Sequence, residues 1–168
     1  ERDVELDPEI DIVIGNNRKH DLIKILEEHQ TERSWELIDI NHTNEYEEMQ
    51  LSRTAEHTRA YIKIQDGCNQ FCSYCMIPYV RGRVRSRKSE EILREVRELA
   101  ERGYREVVLT GIHISSYGLD FDYPGTNRQT PDASCAETNE HMTALIGEVS
   151  RIPGIDRIRL GSLEPGII

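Results

Sequence analysis

Residues 60–75 read Ala-Tyr-Ile-Lys-Ile-Gln-Asp-Gly-Cys-Asn-Gln-Phe-Cys-Ser-Tyr-Cys, and two patterns in this stretch decide the fold. Ala60, Ile62 and Ile64 alternate with Tyr61, Lys63 and Gln65, the period of two expected of a strand beginning near Thr58. Gly67 breaks that strand, and Cys68, Cys72 and Cys75 follow at the spacing C-x3-C-x2-C. Downstream, Ser89 is expected to cap a helix whose first turn holds Glu90 and Glu91, where acids suit the helix dipole. Ile92, Leu93, Val96, Leu99 and Ala100 mark its buried face, and Gly103 suits the position just past its end. Val107, Val108 and Leu109 form the short apolar run of a strand buried on both faces. A long loop over 111–139 contains Gly118, Pro124, Gly125 and Pro131; loops of this length are usually functional or inserted. Met142, Leu145, Ile146 and Val149 then mark a second amphipathic helix, ended by Pro153-Gly154, and a last strand is expected over 157–162. Strand–helix–strand–helix–strand implies an α/β fold with right-handed crossovers and a parallel sheet.

Upstream, Ile10, Ile12, Val13 and Ile14 predict a short strand closed by Gly15, with Asn16 or Asn17 as a helix N-cap. Leu22, Ile23, Ile25 and Leu26 lie at helical spacing, ending at Glu27 and Glu28. From about residue 29 to 57 the pattern weakens, and we expect an interdomain linker with one short strand around Trp35–Ile40. Such a first unit cannot bury its own apolar face, so it is expected to close a domain whose earlier part lies outside this chain. The chain opens within a charged run without Met, and we expect an internal piece of a longer protein. No signal peptide and no run of about 18 apolar residues is visible, so a cytoplasmic protein with no membrane partner is expected.

Charge is unevenly distributed. The 168 residues carry a net charge of −10, yet residues 1–66 hold 17 Asp/Glu against 8 Lys/Arg, and residues 67–168 hold 14 against 13. Overall acidity argues against a nucleic-acid partner. Locally, Arg81, Arg83, Arg85, Arg87 and Lys88 fall within eight residues that contain no acid, and such a patch is what a polyanion would meet. Arginine forks match RNA phosphates and a cofactor carboxylate alike. The alternative is a solvated run paired with Glu90, Glu91 and Glu95. Five cations without an interspersed acid repel one another, which favours the functional reading.

A secreted disulfide scaffold would spread an even number of cysteines along the chain; here three of four lie within eight residues, and Cys135 stands apart as an expected free thiol. Three thiolates on one loop suit three corners of a 4Fe–4S cubane and leave the fourth iron without a protein ligand. An open iron is what reductive cleavage of S-adenosylmethionine requires. A zinc knuckle built on the same cysteines and a histidine is the alternative, but zinc sites pair two distant hooks and no second hook is visible. Asp66 and Asn69 flank the loop, where turn-forming side chains are expected in any case.

The run from Tyr61 to Tyr79, followed by Arg81-Gly82-Arg83 and Ser86-Arg87, resembles the radical SAM methylthiotransferase family. That family has branches acting on isopentenyladenosine in tRNA, on a ribosomal protein and on threonylcarbamoyladenosine in tRNA. Residues 109–118, Leu-Thr-Gly-Ile-His-Ile-Ser-Ser-Tyr-Gly, and 157–165, Arg-Ile-Arg-Leu-Gly-Ser-Leu-Glu-Pro, resemble the third branch most. The resemblance runs from about Ile10 to Pro165, outside the weakly patterned stretches.

It implies that Cys68, Cys72 and Cys75 hold the radical-generating 4Fe–4S cluster and that the backbone of Tyr74 touches the adenine of S-adenosylmethionine. It also implies that Gly111, Ile112 and His113 contact the methionyl amine, with Ser162 and Glu164 lining the same pocket. A satisfied loop histidine remains the alternative for His113. The implied reaction begins with a 5′-deoxyadenosyl radical abstracting hydrogen from adenine C2 of threonylcarbamoyladenosine beside the anticodon. Sulfur and a methyl group from a second S-adenosylmethionine are then installed. tRNA and an electron donor such as flavodoxin or ferredoxin are the implied partners.

The implied organisation is the end of an amino-terminal methylthiotransferase domain (1–28), a linker (29–57) and the first half of a radical SAM domain (58–168), a partial parallel (βα) barrel. The resemblance also implies a second 4Fe–4S cluster in the rest of the amino-terminal domain, the other barrel half and a carboxy-terminal RNA-binding module, all outside this chain. Alone, the 168 residues are expected to be inactive and marginally stable, since a three-stranded sheet leaves edges and apolar faces uncovered. The stretch from about Asp122 to Thr138 looks longer than the family pattern.

Overall fold

The computed structural model describes residues 9–16, 18–28, 34–36, 46, 59–122 and 140–163. Cys135, Glu164 and most of the 122–138 stretch lie outside the described residues. Alternation in the first quoted stretch does become a strand. β3 spans Arg59–Lys63, with β1 (Ile12–Ile14) and β2 (Ser34–Glu36) preceding it. Ala60, Ile62 and Ile64 are buried while Tyr61 faces outward. β3 pairs in parallel with Glu106–Thr110 (β6), which pairs in parallel with Arg157–Leu160 (β7). The order β3-β6-β7 puts the apolar run Val107–Leu109 at the centre, where burial on both faces is greatest.

Two amphipathic helices cover one face. Helix α3 (Ser89–Glu101), which follows the single turn α2 (Ile77–Val80), supplies Ile92, Leu93, Val96 and Leu99, and helix α5 (Glu140–Ser150) supplies Met142, Leu145 and Val149. They share one apolar core with Ile62, Val107 and Leu109. Each fully buried aliphatic side chain there contributes about 1.5–3 kcal/mol through its area removed from water. On the opposite face Glu106 lies between Arg59 (3.8 Å), Arg157 (3.1 Å) and Arg159. Burial alone would raise its carboxyl pKa, but Arg159, Arg157 and Arg59 together hold it below the usual glutamate range.

Several boundaries differ from the sequence expectation. Ser89 is the first residue of α3 and not its cap; Lys88 holds the N-cap position in an extended conformation, with no side-chain capping bond. The chain is pinned just upstream, where the Arg87 N–H donates to Ile64 C=O (2.9 Å) and the Tyr117 hydroxyl donates to Arg87 C=O (2.9 Å). Those bonds start the helix one residue from where serine's capping preference placed it. Gly103, at φ +90°, ends α3 as expected.

Asn16 does not cap helix α1 (Leu22–Glu28). A single 3₁₀ turn, Lys19–Asp21, precedes that helix, with Arg18 before it, and Asn17 lies outside the described residues. The expected loop after β6 is partly structured: Ile114–Ser116 form a buried 3₁₀ turn, followed by the short helix α4 (Leu119–Asp122). β7 stops at Leu160, and Ser162 takes φ +60°, which no extended strand residue adopts.

The first unit is also more than a strand and a helix. β2 pairs in parallel with β1, so the strand within the expected linker joins the strand ahead of it. It spans Ser34–Glu36, one residue ahead of the expected start at Trp35, and residues 37–40 lie outside the described residues. Among the described residues no helix is long and apolar enough to cross a membrane.

Candidate metal centre

The cysteine loop is closed at its neck. Directly after β3, Gln65–Asp66 (β4) pairs antiparallel with Arg85–Ser86 (β5), a contact the alternation pattern did not reveal. Cys68 N–H donates to Gly82 C=O (3.1 Å), and Val84 N–H donates to the Asn69 side-chain oxygen (3.1 Å). Residues 67–84 are thereby held as one closed excursion at the carboxyl end of β3. Gly67 has φ +73°, and a Cβ there would stand 1.8 Å from the Arg83 carbonyl oxygen. Only glycine permits that approach.

Asp66 organises the neck electrostatically. Its carboxylate accepts from Lys63 Nζ (2.6 Å) and from the Gly67 N–H (2.8 Å), with Arg81 at 3.4 Å and Arg85 at 3.8 Å. Burial alone would raise its pKa, but the Lys63 ammonium, the Gly67 N–H and Arg81 hold the carboxyl below the usual aspartate range. Tyr46 reaches the same place: its hydroxyl donates to Lys63 C=O (2.9 Å), and the Lys63 ammonium lies 5.7 Å from the ring centroid.

The three cysteines form no disulfide and share this loop. Cys68 is buried and takes the Gln70 N–H at its sulfur (3.5 Å); Cys75 is half-buried, in a turn closed by its N–H to Cys72 C=O (2.9 Å); Cys72 is exposed. Among the described residues no three His, Cys, Asp or Glu side chains converge as metal ligands, so the loop collects the sulfurs without bringing them to one point. The donor set suits an iron–sulfur cluster on its chemistry: three soft thiols, and no carboxylate between residues 67 and 89 to compete. Tyr74 is 89% exposed, so its ring is open to a ligand.

Gly111, Ile112 and His113 follow β6 and lie beside the loop. The His113 N–H donates to Gln65 Oε1 (2.8 Å), and its Nδ1 shares a hydrogen bond with Ser116 Oγ (2.6 Å). His113 is buried, and its imidazole therefore has a partner within the chain. Ser162 is exposed beyond the end of β7.

The five cations divide. Arg85 and Arg87 are 3% exposed and point inward, against the expectation that the whole run faces a polyanion. Arg85 donates to the carbonyls of Arg81 (2.8 Å) and Arg83 (3.3 Å); Arg87 is ion-paired with Glu95 and lies 3.9 Å from Glu91. Repulsion among the cations is relieved by carboxylates brought from Asp66 and helix α3, which the local sequence did not show. Arg83 stacks over Phe71, 4.2 Å from its centroid, and Phe71 meets Tyr79 edge to face at 5.6 Å. Phe71 has φ +49°, a strain of roughly 1–2 kcal/mol for a residue with a Cβ, which these ring contacts offset. Lys88 is exposed and Arg81 partly so, which leaves these two with Arg83 nearest to solvent.

Sequence reasoning missed three parts of this centre: Gln65, Ser86 and Asp120. Asp120 accepts the Ser86 N–H (2.8 Å), and Ser86 Oγ accepts the Gly118 N–H (2.8 Å). Gln65 sat in a strand pattern as an outward residue, and its polar side chain fits that position, so no local signal marked it.

A family model described as the Radical SAM superfamily matches residues 62–163. A threonylcarbamoyladenosine tRNA methylthiotransferase MtaB of Aquifex aeolicus is 38% identical over 158 residues, covering 93% of this chain and 34% of the relative. The protein of that name in Bacillus subtilis is 35% identical over 161 residues, covering 94% and 32%. A tRNA-2-methylthio-N(6)-dimethylallyladenosine synthase of Desulforamulus reducens is 32% identical over 161 residues, covering 94% and 31%. The chain thus spans about a third of the length of the curated relatives it matches.

Proposed function

We infer the function from one premise: the chain belongs to the radical SAM superfamily. Membership implies a 4Fe–4S cluster and S-adenosylmethionine. We propose that Cys68, Cys72 and Cys75 ligate the cluster and that the chain is part of a tRNA methylthiotransferase. The observation that carries this reading is the closed C-x3-C-x2-C loop at the carboxyl end of β3, beside the Gly111–His113 turn after β6. Ligands of parallel α/β sheets bind at that end.

When bound, a cluster with one iron free of protein ligands supplies the electron that cleaves S-adenosylmethionine reductively. The chain's residues do the rest. The backbone of Tyr74 meets the adenine, and Gly111 and Ile112 line the methionyl end. Ser162 and Glu164 complete that pocket, and His113 orients the turn through its bonds to Gln65 and Ser116. Arg81, Arg83 and Lys88 meet RNA phosphates, whereas Arg85 and Arg87 brace the loop from within.

The substrate of the whole enzyme is threonylcarbamoyladenosine next to the anticodon of tRNA, methylthiolated at C2; the Aquifex and Bacillus relatives support this reading. The Desulforamulus relative favours a second one, the same chemistry on the isopentenyl-type adenosine. Methylthiolation of a ribosomal protein and a non-catalytic zinc-binding RNA module are the remaining alternatives. The enzyme works in the cytoplasm with an electron donor such as flavodoxin or ferredoxin. Within it, residues 58–168 form the first half of a radical SAM barrel, and residues 1–28 end an amino-terminal domain that carries a second 4Fe–4S cluster, with 29–57 between them.

Mass spectrometry of tRNA nucleosides from a deletion strain tests the substrate. Loss of methylthio-threonylcarbamoyladenosine with retention of the methylthio-isopentenyl nucleoside is expected, and the reverse overturns the first reading. Anaerobic reconstitution should give a brown protein absorbing at about 400 nm that bleaches on reduction. A colourless, zinc-loaded protein would decide for the zinc module. Cys72→Ala should abolish the absorbance, and a full signal in that variant removes Cys72 from the ligand set.

A further inference from the structure

Gln65 is fully buried, and its amide is used in every direction. Nε2 donates to the carbonyls of Asp66 and Gly67, each at 2.7 Å, and Oε1 accepts the His113 N–H at 2.8 Å. A side-chain amide has two N–H donors, so both are consumed on the turn that leads into Cys68. Its acceptor is consumed on the turn after β6. The last backbone bond joining the two strands runs from Ile64 N–H to Thr110 C=O (2.9 Å); beyond it the Gln65 side chain continues the link. Gly111 completes the contact. A Cβ there would lie 2.8 Å from Gln65 Oε1 and 3.0 Å from the Gln65 carbonyl oxygen, so the two turns meet with no room for a side chain.

Resting on the reading above, we propose that Gln65 is a positioning residue: it sets the Gly111–His113 turn at a defined distance from the cysteine loop, and so registers bound S-adenosylmethionine against the cluster. The amide alone meets all three demands at once. Glutamate would keep an acceptor for His113 but set a carboxylate against two carbonyl oxygens. Methionine matches the length and removes every bond. A purely structural glutamine would, on substitution, lower stability and iron uptake together and leave the affinity of the surviving folded protein unchanged. A positioning glutamine separates these effects, because the thiols stay on their loop while the second turn drifts.

The test uses the full protein with Gln65→Met, Gln65→Glu and Gly111→Ala. In metal-free protein, amide exchange at His113 should accelerate at least tenfold in Gln65→Met and stay near the parental rate in Gln65→Glu. After anaerobic reconstitution, Gln65→Met should hold parental iron and bind S-adenosylmethionine at least tenfold more weakly by equilibrium dialysis. Gly111→Ala, which presses on the same contact from the other side, should weaken binding likewise, and the double variant should lose less than the product of the two. Parental exchange at His113 and parental affinity in Gln65→Met overturn the proposal. Should Gln65→Met take up no iron, Gly111→Ala decides, and parental affinity in it is equally fatal. Failure of the functional reading has a different signature: the parent itself takes up iron while S-adenosylmethionine leaves its reduced-cluster EPR spectrum unchanged. Exchange at His113 still decides the role of Gln65 in that case.

Discussion

Replacing Gly67 with alanine should cost far more than the same change at Gly103, although both glycines have positive φ. At Gly103, φ +90°, an added Cβ meets nothing within 4 Å, so the cost is conformational strain alone, roughly 1–2 kcal/mol. At Gly67, φ +73°, the Cβ would stand 1.8 Å from Arg83 O, 2.5 Å from Arg83 C and 2.7 Å from Gly82 O. Reaching ordinary contact requires the 82–83 backbone to retreat by about 1.6 Å, beyond what a neighbour yields by small adjustments. That retreat breaks the Cys68 N–H bond to Gly82 C=O (3.1 Å) and disturbs the bonds from Val84 N–H to Asn69 (3.1 Å) and from Arg85 to Arg83 C=O (3.3 Å). At about 1 kcal/mol for each bond lost, added to the strain, Gly67→Ala should lose roughly 3–5 kcal/mol. Urea unfolding of both variants, alongside iron content after anaerobic reconstitution, measures the difference. Gly67→Ala should unfold at markedly lower urea and take up little iron, while Gly103→Ala keeps parental iron. Equal destabilisation of the two, or full iron uptake by Gly67→Ala, refutes the closed-neck geometry.

Glu95→Gln should destabilise by up to about 3–5 kcal/mol, because it removes the nearer counter-charge of the buried Arg87 guanidinium and leaves only the more exposed Glu91, 3.9 Å away; the double change Arg87→Met with Glu95→Leu should cost less than the single one. Equilibrium unfolding of the three proteins checks this, and a harmless single variant contradicts it. Leu145→Ala, which empties a site 1% exposed in the shared core, should cost about 2–5 kcal/mol by the same measurement. Glu106 has a folded pKa below its unfolded one, so its contribution is present above the ordinary glutamate pKa and is lost as pH falls through the lowered value. Stability measured across that acid range should decline in the parent, and Glu106→Gln should flatten part of the decline; identical slopes count against the Arg59–Arg157–Arg159 cage. The isolated 168 residues should show no methylthiolation of tRNA in a single-turnover assay, and activity from them alone refutes the need for the rest of the enzyme.

Where local pattern and global fold agreed, the sequence was legible. Alternation at Ala60, Ile62 and Ile64, helical spacing from Ile92 to Leu99, and the run Val107–Leu109 each report burial on a fixed side of an element. Period and burial are the same fact seen twice. The placing of the three cysteines on one loop was legible for a similar reason, since residues so close in sequence are necessarily near in space. The capping serine at Ser89 misled because a cap preference of about 1 kcal/mol yields to the hydrogen bonds that hold the Arg87 backbone to Ile64 C=O and to the Tyr117 hydroxyl, residues far away in sequence.

Charge was the least legible property. Five cations in eight residues read as a polyanion-facing stripe, because their counter-ions lie elsewhere: Asp66 before the loop, Glu95 on the next helix. Burial of Arg85 and Arg87 goes with β4 meeting β5 and with the carboxylates of Asp66 and Glu95, which lie outside the eight-residue run itself. The same holds for Gln65, whose partners are 1, 2 and 48 residues away.

By itself, then, the sequence determined the main strands and helices and the three-thiol loop, since each depends on neighbours within a few residues, and the alternation of strand and helix implied the parallel sheet. Only the tertiary structure decided which arginines face inward, what closes the neck of the loop and which side chain ties it to the turn after β6. Those outcomes depend on contacts between segments that the chain keeps apart and the fold brings together.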